Sequence, residues 1–406
     1  MRVLALLLTL PLLVSAADWP TYLHDASRSG VTSEKLVLPL KEAWVHRSPH
    51  KPRPAWLGPA KGDPYNKKFN LHNRQTFDHA YHAIAVGDSV LYGSSADDQI
   101  YCLDAKTGLV RWTYFTEGPI RLAPSFSGGN IFFGSDDGYV YCINLSGKLV
   151  WKTRLAPRDY RIAGNGRVIS AWPVRSGVLV DKGIAYAAAG MFPSEGVYIF
   201  ALDSAAGKVQ WKKEYAERTA QGNLLLSTDR LYVPTGRSSP LEFERSTGHL
   251  RRVLGGLDGP GGKDVGGTDV SLAGSHLVAR EGRQGALCLI SLREGKVIKS
   301  FSGTKIIITP EKYFIHGDGK MKAVMPGVYN NSWERNSEYS DALILAGDVL
   351  FAGGKNSVSA SNAKTGVEVW RHAVRGRALG LAVANGRLLV STDEGEIHCF
   401  QTKGAQ

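Results

Sequence analysis

The stretch Tyr101-Cys102-Leu103-Asp104-Ala105-Lys106-Thr107-Gly108-Leu109-Val110-Arg111-Trp112 decides the fold of this chain, because it keeps returning. It reads as an alternating apolar strand, an Asp, a short turn ending in Gly, and a second strand that carries Trp. The same phrase runs from Tyr141 to Trp151, from Phe200 to Trp211 and from Ser359 to Trp370, with degenerate copies at Glu242 to Val253 and Cys288 to Ile298. The turn glycines Gly108, Gly147, Gly207, Gly248, Gly295 and Gly366 lie 39, 60, 41, 47 and 71 residues apart. Those gaps fit a unit of about 40 residues with one insertion and one eroded copy. Ahead of each phrase lie two more alternating strands split by a tight turn, as in Tyr81–Val86, Gly87-Asp88 and Ser89–Gly93. Four short strands per unit predict β-propeller blades, and the lack of any sustained helical period excludes a helical solenoid.

Counting the units predicts an all-β, eight-bladed propeller of four-stranded antiparallel blades over about residues 80–402. The last unit, Arg377 to Thr402, supplies three strands and stops. Leu40–Arg47, with Trp44, has the pattern of a fourth strand but no blade before it. Ring closure follows, the N-terminal strand completing the last blade and removing the open edges of the array. The sixth unit, Thr304 to about Asn336, is the most eroded, with Trp333 only approximating the motif.

The Asp-x-x-x-Gly-x-x-x-Trp phrase resembles the repeat of the pyrroloquinoline-quinone-type (PQQ-like) propellers, a family that includes quinoprotein alcohol dehydrogenases and the assembly lipoprotein BamB. The resemblance covers about residues 40–402. It implies the fold, and it implies that Trp44, Trp112, Trp151, Trp211 and Trp370 dock neighbouring blades; a shared fold does not carry function with it. The segment from Asp18-Trp19-Pro20 through Arg28-Ser29-Gly30 to Trp44 also resembles uncharacterised secreted bacterial members.

Composition agrees with an ordered, turn-rich globular chain: 46 glycines in 406 residues and 21% charged residues exclude disorder and a coiled coil. Arg2, the apolar run Leu4–Val14 and the small residues Val14-Ser15-Ala16-Ala17 read as a signal peptide over residues 1–17. The propeller is then one domain over 18–406, its mature start falling near Ala17 or Asp18. No cysteine follows the cleavage region and no later run reaches 18 apolar residues, so the expectation is an exported, unanchored monomer, periplasmic or secreted. The net charge of +12 biases binding toward anions, although an exported chain rarely meets nucleic acid.

Most chemical motifs fail. A phosphate loop would need Gly at position 257 and a hydroxyl residue after Lys263, where Leu257 and Asp264 stand. No Gly-x-Ser-x-Gly turn occurs. His79 and His82, three apart in an expected strand, point to opposite faces, so no metal site is expected. Cys102, Cys142, Cys288 and Cys399 sit at small-residue strand positions and read as buried free thiols. The acidic turns Asp97-Asp98, Asp136-Asp137-Gly138, Asp318-Gly319 and Asp393-Glu394-Gly395 read as hairpin turns rather than calcium loops. The resemblance raises pyrroloquinoline quinone with calcium, but dehydrogenases of the family carry a disulfide between adjacent cysteines over the quinone and no two cysteines here are neighbours; no cofactor is expected.

Long connections at Arg47–Ala80, Arg154–Ser170, Gly255–Thr268 and Pro326–Ser340 each follow a unit's fourth strand and so gather on one face. The second carries Arg154, Arg158, Arg161 and Arg167, with Arg175 shortly after, against Asp159. The candidate binding residues on this face and at the channel mouth are His79, Tyr81, His82, Arg121, Arg167, Trp172 and Arg175. Arginine forks and aromatic faces suit an acidic small molecule, a glycan or a protein partner. The leading expectation is a binding or scaffold module. Its rival is a lyase on an acidic polysaccharide, with His79 or His82 and Tyr81 moving protons while Arg121 and Arg175 neutralise a carboxylate; a PQQ-dependent dehydrogenase is the third alternative.

Overall fold

The computed structural model describes residues 17–56, 75–164, 166–236, 238–255, 265–281 and 285–402. Six sheets hold four strands each, in sequence order from the channel outward. The first comprises Ile84–Val86, Ser89–Gly93, Gln99–Asp104 and Val110–Phe115, and the sixth Lys305–Ile308, Tyr313–Gly317, Lys320–Val324 and Asn331–Asn336. The final repeats run together in one seven-stranded sheet, because Val349–Asn362 and Glu368–Ala384 each continue through a corner. Asn356 (φ 57°) and Gly376 (φ 84°) make those corners. At its outer edge Leu40–Arg47 lies antiparallel to Glu396–Thr402, which is the expected ring closure.

The recurring phrase works through three local devices. The Asp or Asn folds its side chain over the turn: Asp104 Oδ1 accepts from the Lys106 and Thr107 amides, both at 2.9 Å, and Asp203 and Asn362 do the same in their own turns. The Gly then takes a left-handed conformation, φ 71° at Gly108 and φ 69° at Gly207. Finally, the register slips by one residue between the third and fourth strands, as between Cys102 and Leu103, leaving Arg111 unpaired just before Trp112. This bulge recurs before Trp44, Trp151, Trp211, Trp333 and Trp370. A bulge re-aims the following side chain, here onto the neighbouring blade.

There each indole covers the next turn. Trp44 Nε1 donates to Ala105 O at 3.0 Å, and a Cβ on Gly108 would come within 2.5 Å of its ring. Trp112, Trp151, Trp211 and Trp333 donate to Leu145, Ser204, Arg245 and Ala363 carbonyls at 3.0–3.1 Å. Trp370 donates to Leu40 O at 3.0 Å and so docks the closing strand. The degenerate copies keep the contact with other chemistry. Arg252 stands at the Trp position, reaches the Leu292 carbonyl and lies on Gly295. Lys299 sits 5.0 Å over the ring of Tyr329, which replaces the turn glycine at φ 55°. All four cysteines are free and buried.

Both ends of the ring are crossed by chain. At the end where inner strands turn into second strands, residues 17–32 run from sheet to sheet. Trp19 pairs with Ala85, Pro20 O accepts from Phe126, Ala26 O from Leu226, Ser27 O from Leu272, and Gly30 O from Leu345. Arg28, 1% exposed, anchors this plug through Leu224 O, Tyr22 O and the Thr21 hydroxyl. At the opposite end, residues 48–56 cross the turns between second and third strands: Ser48 N–H donates to Gly395 O and Arg53 N–H to the Ser95 hydroxyl. Trp56 Nε1 reaches Gln221 Oε1 at 3.4 Å, across the channel. The hairpin Arg161–Gly164/Arg167–Ser170 stands on the same end.

Candidate functional site

Arg121 and Arg175 start their units' inner strands and converge, but not on solvent. Arg121 Nε lies 2.6 Å from Asp136 Oδ2 and its Nη1 2.7 Å from Asp78 Oδ2. Arg175 grips the same Asp136 carboxylate with Nε and Nη2, both at 2.9 Å. All four side chains are at most 2% exposed. Burial works to raise the Asp136 pKa, and the two guanidiniums outweigh it and hold the carboxyl below its usual value. The quartet is charge-balanced and fastens the cap: Asp78 Oδ2 accepts from the Ala55 amide at 2.7 Å, and Arg121 Nη1 donates to Arg53 O at 2.9 Å. The expectation that Arg121 and Arg175 offer free forks at an open mouth is therefore corrected. Their partners are carboxylates of the same face.

The other candidates separate. Arg167 pairs with Asp98 and donates to Ala96 O at 2.7 Å, holding its hairpin to the first blade. Trp172 is buried and donates to Glu195 O at 2.7 Å, with Tyr160 and Arg158 over it. Tyr81 is buried too, stacked on Tyr92 with centroids 5.3 Å apart, its hydroxyl bonded to His50 O and its pKa pushed by burial up to about 12. His79 and His82 instead line one cavity of about 380 Å³ in the channel. The strand begins only at Ile84, so the alternation that was to part them does not operate there.

That cavity gathers charged and polar side chains from several units and from the plug. Burial lowers the His82 pKa to about 4, leaving a neutral imidazole edge-on to Tyr22 at 4.9 Å. His79 Nε2 is buried there without a hydrogen-bond partner. Lys305 Nζ lies 2.9 Å from Asp269 Oδ2, and Arg377 Nε 3.0 Å from Asp341 Oδ2. Burial opposes charge on Asp269, but Lys305 and Arg280 bring its pKa to about 2. Asp269, Lys305, Asp341 and Arg377 are inner-strand residues that the repeat places at the mouth. Tyr22 comes from the plug, which no repeat arithmetic could locate. Three carboxylates, Asp269, Asp341 and Asp393, line the cavity beside the cations Arg280, Lys305 and Arg377. It does not assemble the lyase set, since Tyr81, Arg121 and Arg175 lie outside it. Among the described residues, no group of three or more His, Cys, Asp or Glu is placed to hold a metal ion.

A closed ring of radially stacked, Trp-docked sheets with a plugged channel defines a β-propeller of the PQQ-like kind. The chain belongs to the family described as outer membrane protein assembly factor BamB, whose model matches residues 67–300 and 329–406. Its fold resembles that of BamB from Moraxella catarrhalis, with TM-score 0.61 and 16% identity over 90% of this chain and 100% of that one. It also resembles quinohemoprotein alcohol dehydrogenase from Comamonas testosteroni, with TM-score 0.70 and 13% identity over 96% of this chain and 81% of that one. A curated relative, quinoprotein ethanol dehydrogenase of Pseudomonas aeruginosa, is 27% identical over 146 residues, covering 32% of this chain and 22% of the relative. The match thus spans about a fifth of that relative's length.

These relatives overturn the expectation that no cofactor is involved, because the curated chain matched is a quinoprotein. The channel cations Lys305, Arg280 and Arg377 have the charge to face the carboxylates of such a quinone. Each is already turned to a protein oxygen, on Asp269, Thr304 and Asp341 respectively. The described donor set does not fit the metal ion that would accompany it.

Proposed function

We propose that the protein is an exported scaffold that docks a protein partner on its loop-bearing face. One observation carries this reading: the conspicuous cations of that face are spent on holding the cap and hairpin in place, while apolar and aromatic residues beside them stay exposed. Val168 and Phe115 are 63% and 67% exposed, and Tyr160 is 47% exposed beneath Arg158, 5.0 Å from its ring. The Arg161 ion pairs with Glu117 and Asp159 tie the two segments together. Aromatic and arginine side chains at a rigid, exposed position are the usual anchors of protein interfaces. Photo-crosslinkers at Phe115 and Val168 in the exporting cell should capture one defined protein, and Tyr160→Glu with Val168→Glu should abolish capture at unchanged Tm. Equal capture by the double variant sinks the assignment.

A second reading, a quinone-dependent dehydrogenase, draws on the curated relative and on the unpartnered His79 in the channel cavity. Titration of the protein with pyrroloquinoline quinone, with and without calcium, tests it through tryptophan quenching and dye-linked alcohol oxidation. No quenching and no oxidation would remove it.

A further inference from the structure

We infer that the peptide bond before Ala17 is a processing site, and that the α-ammonium freed at Ala17 becomes the counter-ion of Glu34. The inference rests on the proposed export. Glu34 is 2% exposed and lies at the plug end of the ring. Its carboxylate accepts from three backbone amides: Ala17 at 3.2 Å, Asn385 at 3.1 Å and Gly386 at 2.5 Å. Among the described residues, no Lys, Arg or His lies within ion-pair distance of it. Asp136 has Arg121 and Arg175, Glu242 has Arg230 and Arg252, and Glu396 has Arg47, whereas buried Asp137 is held by the Glu117 and Tyr139 amides and by the Tyr141 hydroxyl. A buried carboxylate without a cation is costly, and amide donors offset only part of that cost.

The group that would complete the site is generated by cleavage. The residues before Ala17 are Val14, Ser15 and Ala16, small enough for a signal peptidase. Hydrolysis breaks the bond between the Ala16 carbonyl carbon and the Ala17 nitrogen. Water supplies the hydroxyl to Ala16 and a proton to the nitrogen, and the amine takes a further proton from solvent near neutral pH. The nitrogen that donates one amide hydrogen at 3.2 Å then carries three and a positive charge.

The geometry also selects between the two start points the sequence leaves open. Cleavage after Ala17 would remove this donor, leaving Glu34 with two amides. The residues that follow are already fixed: Asp18 Oδ1 accepts from Gly87 and from the Asn385 side chain, and Trp19 pairs in both directions with Ala85. The new terminus is thereby held in a socket between the turns at Gly87 and at Asn385-Gly386.

The test has two arms. The intact mass of the protein exported with its own leader should give Ala17 as the first residue. Separately, chains beginning at Ala17 and chains extended by an uncharged Gly-Ser dipeptide, both released from a cleavable fusion, are compared with and without Glu34→Gln. In the Ala17 chain, Glu34→Gln should lower Tm by about 2 °C or more, and in the extended chain by clearly less. Equal losses in the two backgrounds, or a mature start at any other residue, overturn the inference. An exported protein starting elsewhere overturns it alone; an uncleaved chain retained in the cytoplasm overturns the export reading with it.

Discussion

The charge quartet under the cap allows a quantitative prediction for Asp136→Asn. The substitution keeps shape and removes the one carboxylate shared by Arg121 and Arg175, leaving Asp78 to face the buried guanidiniums. Breaking a buried ion pair on one side costs about 3–5 kcal/mol, because the remaining charge stays desolvated. For a chain of this size the unfolding entropy is about 0.8 kcal/mol per degree at the midpoint, so the expected fall in Tm is about 4–6 °C. Calorimetry at pH 7 reads it directly. The pH dependence supplies a second check. The folded pKa of Asp136 is depressed, so its contribution is fully present above the unfolded value near 3.9 and is lost as pH falls through the folded value. The gap between wild type and variant should therefore be constant from pH 5 to 8 and narrow only below about pH 4. A shift under about 1 °C at pH 7, or a gap already closing near pH 6, would refute the buried, charge-paired arrangement.

Three other outcomes are expected. Gly366→Ala forces a Cβ within 2.4 Å of Trp333 at φ 71° and should destabilise by about 1–3 kcal/mol in urea, whereas Gly128→Ala, with φ 57° but open space, should lose less. Deleting residues 17–47 removes the closing strand and exposes the edge at Glu396–Thr402; light scattering should show self-association that the intact chain lacks. His82, held neutral with a pKa of about 4, should show no imidazole titration between pH 5 and 8 by NMR. Its depressed pKa also makes it a source of stability lost as pH falls from about 6.5 toward 4, a loss that His82→Phe should reduce.

The architecture was legible because its signal repeats: Asp104, Gly108 and Trp112 mean little once and a great deal four times over. Even the closing strand could be placed, since Trp44 is a motif residue without a blade of its own. What the repeat did not show was how the tryptophans are aimed, because the bulge at Arg111 has no residue signature. The degenerate junctions hid for a related reason. Arg252 and Lys299 perform the docking contact with a guanidinium and an ammonium, so they match the motif in geometry and not in letters. The site was legible only as a list of polar residues near the mouth. Whether Arg121 faces a ligand or Asp136 depends on side chains from different units, and nothing local in sequence fixes that choice. His79 and His82 share a cavity because both precede Ile84, where the strand and its alternation begin. Parts of two connections expected on the loop-bearing face, 57–74 and 256–264, lie outside the described residues, as does the leader expected before Ala17.

The pairing of Leu40–Arg47 with Glu396–Thr402 also sets an order of events during synthesis. The closing strand is made among the first residues and its partner among the last, about 350 positions later, so it waits unpaired while every blade between is produced. Chain-length separation of this kind slows folding and leaves an adhesive edge available to other chains in the interval. Lys41 and Glu42 at the start of that strand, exposed in the finished ring, place charge on the edge through this wait. The same seam that makes the ring continuous joins the two strands made furthest apart, and so is the one by which a stalled or truncated copy would recruit its neighbours.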